Sequence, residues 1–140
     1  MGDNLTKVGR YGGEYDILLG ITLPQYDIYI SAGLETHIRS RHQNCLPYLA
    51  NIKDIIEHPD YVGKNPSEPD SIELVKVYSD NIQIGIKLDL SHGYLYVATL
   101  FDIKQGKINR RLHSGRLKPI PAAEDTEINF QKCSTVKWLF

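Results

Sequence analysis

Ile82-Gln-Ile-Gly-Ile-Lys-Leu-Asp-Leu90 alternates without a break: Ile82, Ile84, Ile86, Leu88 and Leu90 against Gln83, Gly85, Lys87 and Asp89. A side-chain period of two marks a strand with one covered face. Residues 72–78 precede it across a Ser-Asp-Asn turn, and residues 94–101 follow across Ser-His-Gly, a hairpin-type connection. The three runs predict an antiparallel meander.

Upstream the period changes. Ile28-Tyr-Ile30 reads as a short strand, Ser31 as an N-cap, and the stretch from Ser31 to His42 as an amphipathic helix. At about 100° per residue, Leu34, Ile38 and Cys45 share a face, with Arg41 in its middle and His37 at its edge. A cation on an inward stripe must be paired or open onto a cleft. Pro47 starts a second helix with Leu49, Ile52 and Ile56 on one face, stopping before Pro59. Residues 60–70, with Gly63, Pro66 and Pro69, read as a loop. Residues 16–23 read as a strand ended by Pro24, and the polar, Gly-rich residues 1–13 as loose. Helices followed by a meander give an α+β domain.

The 140 residues suit one domain with a real core, and 41% hydrophobic with 24% charged residues is ordinary for a globular protein. No apolar run approaches the roughly 20 residues of a membrane span, and the N-terminus lacks the apolar core of a signal peptide. Met1-Gly-Asp-Asn-Leu-Thr6 fits the myristoylation pattern, for which chance or a cloning scar is the simpler reading. Cys45 and Cys133 form no disulfide framework and read as reduced thiols.

A net charge of −1 argues against a generic basic nucleic-acid binder, but the charge is unevenly placed. Lys104, Lys107, Arg110, Arg111, Arg116 and Lys118 occur with His113 and no acid between residues 104 and 118. Such a patch suits a phosphate-bearing ligand; the alternative is a solvated charged turn. Pairing Leu90 with Tyr94 sets Gly85 opposite Thr99 and Lys87 opposite Val97. Pairing Tyr78 with Ile82 sets Glu73 opposite Lys87. Glu73, Lys87 and Thr99 then share one sheet face around the Gly85 gap, able to hold a phosphate or to form a plain cross-strand ion pair.

Cleavage of RNA by its own 2′-hydroxyl needs a base, an acid and cations on the phosphate. His37 is the first candidate for proton transfer, with Arg41 one turn away as a phosphate fork and Glu73 as a rival base. His42, roughly 140° round from His37, ranks second, and His113 is a candidate acid. No C-x-x-C, H-E-x-x-H, EF-hand, P-loop, dinucleotide or Gly-x-Ser-x-Gly motif is present, so neither metal nor cofactor is expected.

Several strings in this order carry a resemblance: Ser31 to His42 with its His-Ile-x-x-Arg-His ending, Pro59-Asp-Tyr-Val-Gly-Lys-Asn-Pro66, Ser71-Ile-Glu-Leu-Val75, Ile86-Lys-Leu-Asp89, Tyr94-Leu-Tyr-Val-Ala-Thr99 and Ser114-Gly-Arg-Leu-Lys118. Together they resemble the phage-type members of the barnase/EndoU/colicin/RelE-like nuclease superfamily, the BECR fold. The resemblance covers about residues 28–118, leaving 1–27 as an N-terminal extension and 119–140 as a C-terminal extension packed on the domain or binding a partner. It implies N-terminal helices packed on a four-stranded antiparallel sheet. It also implies metal-independent endoribonuclease activity, often on tRNA, in a toxin held by a cognate immunity protein or antitoxin. Such a toxin acts in the cytoplasm, sometimes delivered as the end of a secreted or phage-encoded protein.

The residues carried over are His37 and Arg41 on the helix, Lys87 and Thr99 on the strands, and Arg116 and Lys118 in the basic tail. With Glu73, Lys104, Arg110 and Arg111 binding substrate, these make the expected site. The same fold could instead serve as a non-catalytic RNA-binding or phage-structural module, or as an interaction domain using Trp138 to Phe140. Helix and open sheet face need not line one cleft. If they do not, either His37 or the Lys87–Thr99 pair is structural.

Overall fold

A computed structural model describes residues 5–120. Among these, seven strands form one sheet in the order β1-β2-β6-β5-β4-β3-β7. The strands are β1 (Leu5–Arg10), β2 (Asp27–Ser31), β3 (Tyr61–Gly63), β4 (Ser71–Val77), β5 (Asn81–Asp89), β6 (Tyr94–Asp102) and β7 (Leu117–Pro119). Helices α1 (Asp16–Leu19), α2 (Ala32–Arg41), α3 (Ile52–Glu57) and α4 (Gln105–Ser114), and a 3-10 segment over Gln43–Asn51, connect them. The α+β class stands. The four-stranded antiparallel sheet with helices only at its N-terminal side is corrected: the sheet has seven strands, β2 runs parallel to β6, and α4 follows the meander.

Each missed element has a physical reason. β1 is a polar edge strand, and an edge lacks the covered face that makes alternation strict. Residues 1–13 are therefore not uniformly loose, and the segment read as an extension supplies an edge of the sheet. Asp16-Ile-Leu-Leu19 is a helical turn rather than a strand, ended by Gly20 in the left-handed region at φ 66°. Pro47 lies inside the 3-10 segment, so the second α-helix begins at Ile52; it ends at Glu57, before Pro59. The 60–70 loop contains β3, which is three residues long.

The meander positions the rest. Ile72, Leu74, Ile82, Ile84 and Ile86 are buried on one face beneath Leu34, Ile38, Cys45, Ile52 and Ile55. Replacing a fully buried isoleucine such as Ile84 by alanine costs about 2–5 kcal/mol. On the other face Val75, Ile103, Ile108 and Leu117 form a second, smaller core under α4. The basic 104–118 segment is thus a helix and a strand, with Gly115 in the left-handed region closing the helix at φ 86°.

Arg41 is exposed, not inward. Helix α2 ends at Arg41, and His42, at φ −140°, turns the chain before Cys45 re-enters the core. Ideal helical geometry stops applying one residue after the arginine.

Candidate active site on the open face of the sheet

Register brings the polar side chains together. Glu73 lies opposite Gly85, and Gly85 opposite Thr99, as expected for the second pair. Val77, not Tyr78, begins the pairing by facing Asn81, so Ser71 rather than Glu73 faces Lys87. A one-residue shift falls after Gly85: Ile86 faces Val97 and Lys87 faces Tyr96, leaving Ala98 as the extra residue. The shifts preserve the face. Glu73, Gln83, Gly85, Lys87, Thr99 and Phe101 line one pocket of about 210 Å³, closed by Arg111 from α4 and Arg116 from the turn into β7.

Glycine makes the space. A Cβ on Gly85 would stand 2.8 Å from Thr99 Oγ1, so this row accepts no side chain without displacing the hydroxyl. A Cβ on Gly63 would collide with the backbone carbonyl of Arg116, so glycine lets β7 close onto β3 and bring Arg116 to the floor.

That floor is an ion cluster. Arg116 donates Nε to Glu73 Oε1 at 3.2 Å and Nη2 to Oε2 at 2.6 Å, a two-point grip. Arg111 donates Nη1 to Gln83 Oε1 at 2.8 Å and stands 3.9 Å from Glu73. Glu73 and Gln83 are buried, which makes their pairing obligatory. The Glu73 hydrogen bond raises the Arg116 guanidinium above its ordinary value. Burial lowers that of Arg111, with Glu73 opposing and Arg116 and Arg110 adding to the shift. At the rim Lys87 Nζ lies 3.4 Å from Glu68, and Ser71 donates to the Glu68 carbonyl at 2.7 Å. Three cations therefore face two carboxylates around a cavity, an arrangement suited to an oxyanion of phosphate size.

The expected residues divide. Glu73, Lys87, Thr99, Arg111 and Arg116 converge here. Lys104 and Arg110 line a neighbouring groove with Lys107 and Phe101, extending the positive surface. Lys118 lies in β7 opposite Val62. His37 and Arg41 belong to α2, which packs on the opposite face of the sheet. His42 follows the last residue of α2, its ring 6.0 Å from that of His37 and 5.8 Å from that of Phe101. His113 is exposed on the last turn of α4. Among the described residues, no histidine lines the pocket and no three His, Cys, Asp or Glu side chains converge as metal ligands.

Gln83 and Phe101 escaped sequence reasoning, although both lie on the polar side of the meander's alternation and could have been found by extending the register. Residues 1–4 and 121–140, including Gly2, Cys133 and Trp138 to Phe140, lie outside the described residues. No helix among the described residues is long and apolar enough to cross a membrane.

Comparison with curated proteins and with solved structures finds no match. Residues 6–110 match the family described as phage-Barnase-EndoU-ColicinE5/D-RelE like nuclease3. That span runs from β1 into α4 and takes in Glu73, Lys87 and Thr99, stopping before Arg111 and Arg116. The chain belongs to this phage-associated nuclease family.

Proposed function

We propose that the chain is an endoribonuclease that cleaves without a metal, using the substrate's 2′-hydroxyl as nucleophile, and that the Glu73 pocket is its active site. The observation that carries this reading is a buried carboxylate held by one arginine and flanked by a second, with a lysine and a threonine facing the same cavity. Glu73 takes the 2′ proton as the O2′–phosphorus bond forms. Arg111 and Arg116 receive the charge that builds on the phosphoryl oxygens, and Thr99 donates a hydrogen bond to one of them. As the phosphorus–O5′ bond breaks, the Lys87 ammonium gives its proton to the departing oxygen. The products are a 2′,3′-cyclic phosphate and a 5′-hydroxyl, and water resets both side chains.

An arriving phosphate competes with Glu73 for Arg116. Substrate binding therefore loosens the two-point grip and leaves the carboxylate free to act as base. Lys104 and Arg110 hold the flanking backbone, which makes binding salt-dependent. In this reading His37 and Arg41 serve α2 and its surroundings.

tRNA is the substrate class favoured by the resemblance to toxin nucleases, with the cytoplasm as the site of action. A cognate inhibitor would offer carboxylates to Lys87, Arg111 and Arg116, the groups that otherwise meet phosphate. The test is incubation of total RNA and tRNA with wild-type protein and Glu73→Gln in EDTA. Cleavage ending in a cyclic phosphate, present in the first and lost in the second, is the expected result. Intact RNA with wild type would favour a binding module.

A further inference from the structure

The pocket occupies only part of its sheet face. Tyr96 faces Lys87 and Tyr94 faces Asp89, so both tyrosines stand on the pocket side of β6. Tyr29 of β2 pairs with Tyr96 and continues that side across the sheet. The Tyr29 and Tyr94 rings meet edge to face with centroids 5.4 Å apart, and His92 stacks on Tyr94 at 5.8 Å and 28°. Asp89 fixes the imidazole, its Oδ2 lying 3.0 Å from Nδ1. A groove of about 660 Å³ runs between these rings and Arg10, Tyr26 and Asp27. Helix α4 packs over the β4 and β7 end of this face, so it leaves the groove uncovered.

Tyr29 and Tyr94 are half-buried and His92 is exposed, and aromatic rings on a sheet next to a phosphate pocket can stack unpaired bases, whereas a duplex keeps its bases inside. Lys7 and Arg10 both pair with Asp27, 3.3 and 3.0 Å away, and Asp89 stands against His92, so charges around the groove balance and the aromatic rings carry the recognition. Tyr94 lies roughly 14 Å along β6 from Thr99, a distance a few nucleotides of extended strand cover. We infer that Tyr29, Tyr94 and His92 form a base-stacking platform that engages single-stranded RNA a few nucleotides from the scissile phosphate. The identity of the ligand as RNA rests on the proposed function of the pocket.

The test measures binding of a short single-stranded 2′-O-methyl oligonucleotide, which cannot be cleaved, by the full chain. Tyr29→Leu and Tyr94→Leu should each weaken binding about tenfold, with Tyr94→Phe binding as wild type does. Wild type should bind an oligonucleotide carrying abasic sites as weakly as the leucine variants bind the intact one. This second arm needs no variant to fold. Equal affinity of wild type for intact and abasic oligonucleotides, or unchanged affinity in a folded leucine variant, would overturn the platform. Base-dependent binding by a protein that leaves ordinary RNA intact would keep the platform and refute the cleavage reading. Cleavage with no base dependence would do the reverse.

Discussion

Arg116 grips Glu73 through two parallel hydrogen bonds on the floor of a pocket that a glycine row keeps open. The pair holds the pocket floor together, because neither group can be removed without leaving the other's charge uncompensated. Glu73→Gln keeps the shape and one acceptor oxygen. It should fold and lose cleavage by about 10²–10⁴-fold. Glu73→Ala should also lower stability by about 1–3 kcal/mol, since Arg116 and Arg111 are left facing each other. Denaturant unfolding and a fluorescent cleavage assay on the same preparations separate the two effects.

Gly85 and Thr99 should be energetically coupled. Gly85→Ala places a methyl 2.8 Å from Thr99 Oγ1 and should cost about 1–3 kcal/mol, with a fall in cleavage. Adding Thr99→Ala should recover part of the stability while leaving cleavage low. A double-mutant cycle checks this; strict additivity would mean the two residues do not share the space.

The two faces of the sheet should behave differently. Lys87→Ala should lower cleavage by about 10²-fold, as expected for loss of the acid that protonates the departing oxygen. His37→Ala and Arg41→Ala should leave the rate near that of wild type, because α2 covers the other face. Single-turnover rates at saturating protein make the comparison free of binding differences.

The meander and its faces were legible because one buried side imposes strict alternation from Ile82 to Leu88, and Gly85 opposite Thr99 followed from the hairpin. Ala98 could not be foreseen: a bulge leaves no mark on a run of apolar and small residues. Helix α4 was hidden because only Ile108 and Leu112 of its ten residues are large and apolar, so its composition reads as a charged turn. Arg41 misled for the opposite reason, since a periodicity argument assumes the helix continues and here it ends. Glu73 was placed on the right face but ranked behind His37, because the arginines that grip and flank it come from forty residues away and no local spacing shows them.

Salt and charge should report how the RNA backbone is held. The slope of log K against log salt should fall by about 0.7 for each phosphate that Lys104→Glu or Arg110→Glu leaves without its cation. These changes lie in the groove beside the pocket, so the single-turnover rate at saturation should move much less than affinity. Filter binding across a salt series gives the slope.

Alkali should weaken the fold. Burial, reinforced by Asp102, pushes the Cys45 thiol up to about 11, and burial pushes the Tyr15 hydroxyl up to about 12. Both groups bind their protons more tightly folded than unfolded, so their contribution is fully present below about pH 9 and is lost as pH rises through the folded values. The Tm should fall between about pH 9 and 12. At pH 8 the native protein should resist alkylation at Cys45 and take it up on unfolding, followed by peptide mass spectrometry.

The most direct measurement is the 3′ end of the RNA product. Wild-type protein incubated with tRNA in EDTA should leave a 2′,3′-cyclic phosphate, and Glu73→Gln, assayed well below its own Tm, should leave the RNA intact. A Glu73→Gln variant that cleaves at the wild-type rate would contradict the pocket as the active site. A 3′-hydroxyl end from wild type would contradict 2′-hydroxyl attack.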